Sequence, residues 1–200
     1  MSNARKLTVK VYLVGGVICS SNDGVASAQD IRQVLMGEHD TFDLAEPNLG
    51  DTEHVELQFE ETANYSSNIN RSSERLDSSA LVSDDWDELA MLIRGDQTSG
   101  NIDGVVVLHG LDTIVYSASA LSFQLPTREI PVVFTGSQRP LNRTRTDARQ
   151  NLVGAITIAA LLARRSQEHA IVGIFCQDTL FQANRTTYAF PSAYLSLIHI

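Results

Sequence analysis

Along the 200 residues, apolar runs of strand length alternate with segments whose apolar residues recur at helical spacing. Leu7 to Val14 is an apolar, β-branched run that ends at Gly15-Gly16, a pair that lets the backbone turn sharply and approach a ligand closely. Ala28 to Met36 predicts a short helix stopped by Gly37, and Glu38 to Glu53, which contains Pro47, Asn48 and Gly50, reads as loop. His54 to Phe59 alternates with period two, as a half-buried strand does. Thr62 to Ser73, rich in Ser and Asn, reads as an exposed loop. Ser83-Asp84-Asp85 opens a helix, with the Ser83 hydroxyl as cap and acids at its positive end; Trp86, Leu89, Ala90 and Ile93 carry it to a stop at Gly95. Gly104 to Leu108 predicts a strand buried on both faces. Ile114 to Leu125 (helix), Pro131 to Phe134 (strand), Asp147 to Arg164 (helix, with Leu152, Ile156, Ala159 and Ala160 inward) and Ala170 to Phe175 (strand) complete the alternation.

Strands alternating with helices imply right-handed crossovers and an α/β fold: a mostly parallel sheet with helices on both faces. Ligands of such sheets bind beyond the carboxyl ends of the strands, so the segments that follow the strands are where chemistry is to be sought.

Composition narrows the field. With 43% hydrophobic residues the chain can bury a sizeable core, and a net charge of −9, from 15 Lys+Arg against 24 Asp+Glu, argues against nucleic acid or an anionic membrane as partner. Cys19 and Cys176 are too few for a disulfide framework or a zinc site, so no metal or other cofactor is expected and a reducing compartment is the default. The N-terminal segment up to Cys19 is not expected to be a lipoprotein leader, because Lys10 interrupts the apolar run and bulky Ile18 precedes the cysteine. The run is also too short to span a bilayer, and a cytoplasmic location follows as the expectation. Residues 1–190 are expected to form one α/β domain and 191–200 a short tail, whose apolar Leu195 to Ile200 reads as though a further segment had been lost or replaced.

Five segments occur in a telling order: Gly15-Gly16, Leu76-Asp77-Ser78-Ser79, His109-Gly110-Leu111-Asp112-Thr113, Thr135-Gly136-Ser137-Gln138-Arg139-Pro140 and Asn184-Arg185-Thr186-Thr187. With the stretch from Thr113 to Phe123, they resemble the bacterial-type L-asparaginase/glutaminase family, in its cytosolic type I branch, over most of the chain. The resemblance implies the family's N-terminal, flavodoxin-like domain, with the smaller C-terminal domain missing. It also implies a chemistry. A threonine after Gly-Gly attacks the side-chain amide of asparagine, a second threonine, an aspartate and a lysine relay the proton, and a tyrosine from a mobile loop supports the nucleophile. An Asp-Ser pair and the relay aspartate hold the α-amino and α-carboxylate groups.

At those positions this chain has Val17 for the nucleophile, Leu111 for the second threonine, Tyr188 for the lysine and, in a looser alignment, Val25 for the tyrosine. Valine and leucine have no acidic hydrogen and can neither attack a carbonyl nor relay a proton. Of the catalytic positions the resemblance keeps Asp112; of the substrate-binding ones it keeps Gly16, Asp77, Ser78, Ser79 and Asp112. The expectation is an asparaginase-like amidohydrolase scaffold that binds an aspartate- or asparagine-like amino acid and is catalytically degenerate. It would work as a homo-oligomer or with a protein partner over the surface of the missing domain. Two rivals stay open: a pseudoenzyme that docks a partner, and a repurposed enzyme acting on an aspartyl-type substrate through Tyr188 or the segment Cys19 to Ser21. Plainer readings stand beside each residue. Val17 and Leu111 fill a dead pocket, Asp112 caps the helix at Thr113, Asp77-Ser78-Ser79 is a turn, His109 and Cys176 are core, and Arg139, Arg143, Arg145 and Arg149 lie on a solvated loop.

Overall fold

The computed structural model describes residues 6–21, 24–39, 41–44, 53–61, 78–125, 130–165, 171–188 and 197–199. The expected loop from Thr62 to Ser73 and the candidate Asp77 lie outside them. The strands are β1 (Leu7–Leu13), β2 (Ser20–Ser21), β3 (Gly24–Val25), β4 (Phe42–Leu44), β5 (Glu53–Glu61), β6 (Gly104–Leu108), β7 (Val132–Thr135), β8 (Val172–Cys176), β9 (Thr179–Gln182), β10 (Thr186–Tyr188) and β11 (Leu197–His199). The helices are α1 (Ala28–Met36), α2 (Ser83–Ser99), α3 (Ile114–Gln124) and α4 (Ala148–Arg164).

Period-two alternation along the central strands divides the core. Val9, Val11 and Leu13 of β1 and Val106 and Leu108 of β6 pack with α1 and α4 residues such as Ile31, Leu152 and Ile156. Tyr12, Val105 and Val107 pack on the opposite face with Leu89 and Ile93 of α2 and Ile114 and Leu121 of α3. Both faces of the sheet are thus covered, as its continuous apolar strands require. The sheet has seven strands in the order β4-β5-β1-β6-β7-β8-β9. β5, β1, β6, β7 and β8 run parallel, and β4 and β9 pair antiparallel at the two edges. In chain order the five parallel strands lie 2-1-3-4-5, the flavodoxin-like arrangement, and the direction of winding reverses between β1 and β6. Lys10, the one cation within β1, is accommodated by charge: its ammonium contacts Glu60 and lies 2.9 Å from Asp96 Oδ1, while the Tyr12 hydroxyl donates to Asp96 Oδ2.

Several local expectations need correction. α2 runs through Gly95 to Ser99, because Ile93 and Gln97 continue its buried face; it stops at Gly100, whose left-handed backbone (φ 66°) closes the C-terminus. Ser83 is the first helical residue rather than the cap. The free N–H of Val82 is met by Asp85 Oδ2 at 2.8 Å, a reach back from the third helical position. Within the expected loop from Glu38 to Glu53, Phe42 to Leu44 adds an edge strand to β5. β9 also escapes the sequence pattern. Its hairpin turns on Gln177 and Asp178, both at positive φ (49° and 58°), without the glycine that usually announces such a turn.

The cap is testable. Asp85→Ala strands the Val82 N–H and is expected to cost about 1 kcal/mol, lowering Tm by about 2–4 °C in a thermal melt. An unchanged Tm would show that water serves that N–H equally well.

Candidate functional site

The two strands that flank the reversal of winding end together. Val14 N–H and Gly15 N–H both donate to Leu108 O, at 3.0 and 3.3 Å, so the turn after β1 is tied to the end of β6. Gly16 takes φ 85°, and a Cβ built on it would lie 2.2 Å from Gly110 Cα: the two loops touch backbone to backbone. From there Val17 to Cys19 forms a single 3₁₀ turn, closed by Cys19 N–H on Gly16 O at 3.0 Å, and leads into the β2–β3 hairpin.

Ser78 is the third contributor. It is buried, and its hydroxyl oxygen accepts the Gly110 N–H at 2.9 Å while Thr113 Oγ1 donates to Ser78 O at 3.2 Å. The segment after β7 supplies the fourth wall. Its turn is braced by Asp147, whose two carboxylate oxygens accept from Gln138 N–H (2.9 Å) and Arg139 N–H (3.1 Å). Asn151, buried on α4, donates from Nδ2 to Gly136 O (2.8 Å) and accepts Gln177 N–H (3.2 Å), clamping the ends of β7 and β8. Sequence reasoning missed this clamp. Its signal is a polar residue one position before the inward-facing Leu152.

These four segments enclose a cavity of about 380 Å³, lined from the turn after β1 by Gly16, Val17, Cys19, Ser20 and Val25, from the turn after β6 by Gly110, Leu111 and Asp112, from the third segment by Ser78 and Ser79, and from the fourth by Ser137 and Gln138. It lies where an open α/β sheet binds its ligands, outside the strand ends at the switch point. Gly16, Val17, Ser78, Ser79, Leu111 and Asp112 are therefore brought together, and the cavity spans the gap between them. Val17 is 40% and Val25 37% exposed, so both valines present hydrocarbon to the open space, whereas Leu111 is mostly buried. Asp112 is exposed; the residue at the N-terminal boundary of α3 is Thr113, and no side chain caps that helix end.

Tyr188 stands apart. It does not line the cavity, and its hydroxyl is buried, with only the Val115 backbone near enough to oppose the effect of that burial. Burial, then the Asp112 carboxylate, then Cys176 and Tyr116, push its pKa upward, so it stays a neutral phenol.

Two of the remaining candidates are thiols held in the neutral form. Burial pushes the Cys19 thiol up to about 12 despite a backbone hydrogen bond at Gly15, and Cys176 is likewise buried and raised to about 12. Neither forms the thiolate that reaction requires. Ser20 Oγ donates to Gly16 O at 3.4 Å, a carbonyl that cannot take its proton. His109 is fully buried; Nδ1–H donates to Gly110 O at 2.9 Å, and burial lowers its pKa to about 4. Arg139, Arg143, Arg145 and Arg149 are exposed. Among the described residues no group of three or more His, Cys, Asp or Glu side chains is placed to hold a metal ion, and no helix is long and apolar enough to cross a membrane.

What this arrangement offers is one carboxylate, several hydroxyls already engaged with backbone, and an apolar wall. Comparison with known proteins fits the topology. The chain is 39% identical to "L-asparaginase 1" of Escherichia coli (strain K12) over 119 residues, 60% of this chain and 33% of that protein. It is 38% identical to a glutamyl-tRNA(Gln) amidotransferase subunit of Halobacterium salinarum over 158 residues, 76% of this chain and 31% of that protein. The structure of the thermostable L-asparaginase from Thermococcus kodakarensis superposes with a TM-score of 0.72 at 25% identity, covering 97% of this chain and 51% of that one. The chain thus matches about a third of the length of these curated relatives and about half of the solved structure. The family model for the N-terminal domain of asparaginase matches residues 8–195, and this chain belongs to the asparaginase family through that domain.

Proposed function

We propose that this protein is an asparaginase-like scaffold that holds an aspartate- or asparagine-like amino acid in the switch-point cavity and does not hydrolyse its amide. One observation carries the reading: where the family chemistry needs two hydroxyls facing the substrate, the cavity presents Val17 and Leu111, and the phenol of Tyr188 lies outside the lining. Asp112 supports the binding half, since an exposed carboxylate at the mouth matches an α-ammonium group. Asp77, Ser78 and Ser79 are proposed to take the rest of the amino-acid head group, and Gly16 to give it backbone access.

Exposed aromatic side chains on α3, Tyr116 at 61% and Phe123 at 77%, support a contact with another copy or a partner protein. Buried, unpaired Cys19 and Cys176 fit a cytoplasmic setting.

Ammonia release from asparagine and glutamine tests the loss of chemistry. No release above the protein-free rate is expected, and Val17→Thr alone should not restore it, because Leu111 and Tyr188 still interrupt the relay; members of a catalytic unit do not act additively. Robust turnover by the unmodified protein would refute the reading. Binding is tested by calorimetry with aspartate and asparagine: heats that disappear in Asp112→Ala are expected.

A further inference from the structure

We propose that the loop between β7 and α4 binds a small oligophosphate anion, at a site of its own outside the switch-point cavity. The eleven residues from Arg139 to Arg149 hold four arginines and a single acid, Asp147, in a chain whose net charge is −9. All four arginines are exposed, none lines the cavity, and none forms an ion pair among the described residues. The one acid is spent on backbone: its two carboxylate oxygens accept the N–H groups of Gln138 and Arg139.

The loop's own bonds gather these charges. Arg139 O accepts from both Ser137 Oγ (2.6 Å) and Thr146 Oγ1 (3.1 Å), which pinches the loop shut at its neck. Inside it, Arg143 N–H closes a turn on Pro140 O at 3.1 Å, and the buried Leu141 anchors the turn to the core. Arg145 takes φ 57°, and the N–H groups of Asn142, Thr144 and Arg145 have no partner among the described residues. Free N–H groups beside a left-handed turn residue are donors suited to an anion. Guanidinium forks add pairs of N–H groups that match two phosphate oxygens at once and stay charged at any working pH.

The surroundings set the size of the anion. An oligophosphate concentrates about four negative charges within the reach of one short loop. A nucleic acid or a long acidic segment runs past the loop onto a surface that is negative overall and repels it.

Calorimetry on the whole chain at low ionic strength near neutral pH, with sodium triphosphate as the probe, decides the matter. A dissociation constant below about 1 mM is expected. The double variant Arg143→Gln/Arg149→Gln should weaken binding at least about tenfold, whereas Arg165→Gln, at the far end of α4 about 25 Å away, should leave it within about twofold. Melting temperatures should match the wild type in all of them, because these side chains are exposed and unpaired. Absence of triphosphate binding overturns the proposal. So does an equal loss in Arg165→Gln, which would trace the attraction to overall charge rather than to this loop. Tighter binding of an octaglutamate peptide than of triphosphate also overturns it, in favour of an acidic protein partner. The amino-acid binding proposed for the cavity is measured separately and stands or falls on its own.

Discussion

Gly16→Ala is expected to lower Tm by about 10 °C and to abolish the proposed amino-acid binding. Two independent costs coincide at this position. The residue adopts φ 85°, a conformation that an L side chain enters only with strain of about 1–2 kcal/mol. The new methyl would also lie 2.2 Å from Gly110 Cα and 2.3 Å from Gly110 N, backbone atoms that cannot rotate away, so the β1 and β6 loops must separate at a further cost of about 1–3 kcal/mol. Together about 3 kcal/mol is at stake, and for a domain of this size each kcal/mol moves Tm by about 2–4 °C. Gly37→Ala separates the two costs: its φ is 60°, but nothing lies within 4 Å of the added carbon, so only the strain remains and a loss of about 1 kcal/mol is expected. Equal melting temperatures for the two variants would mean that the loops do not touch as described. Both glycines of the contact line the cavity, so separating them widens the site that the amino acid would occupy.

The same contact marks the boundary of what the sequence makes legible. β6 is readable because five consecutive buried positions, Gly104 to Leu108, fit a strand covered on both faces and little else. The helical spacing of Leu152, Ile156 and Ala159 likewise fixes the inward face of α4. What fails is structure that depends on a neighbour. Phe42 to Leu44 is too short to carry its own pattern and becomes a strand only because β5 offers an edge. The turn at Gln177-Asp178 tolerates positive φ without glycine, with the Asp178 carboxylate held by Gln150 Nε2 at 3.0 and 2.8 Å, a bond made from α4.

The site divides in the same way. That the segments following β1 and β6 should converge is predictable from topology, since ligand positions in such sheets follow from strand order. That Tyr188 lies outside the cavity while Val25 lies in its wall is not, because both come from short strands off the main sheet, β10 and β3. The Asn151 clamp is invisible for a related reason: its two partners, Gly136 and Gln177, are 15 and 26 residues away.

Acidification is expected to weaken the fold through His109, and the sign follows from its burial. The imidazole has no exposed surface, its Nδ1–H is engaged by Gly110 O, and its Nε2 has no partner among the described residues. Charging the ring would put a second N–H and a full charge into that apolar surrounding, so the pKa falls from 6.5 to about 4 in the folded state. In the unfolded chain the same ring protonates near its ordinary value. Between those limits the unfolded state binds the extra proton and the folded state does not. The stability that neutral His109 provides is therefore complete above about pH 6.5, declines as the pH falls, and levels off near pH 4; a difference of this size corresponds to about 3 kcal/mol. Urea unfolding of the wild type and His109→Gln across this range isolates the contribution, because every other titrating group is common to both: their difference in stability should change by about 3 kcal/mol between pH 7 and pH 4. The His109 ring signal in a proton NMR titration gives a second reading, and should stay that of the neutral imidazole down to about pH 4. Titration near the ordinary histidine value would refute the account.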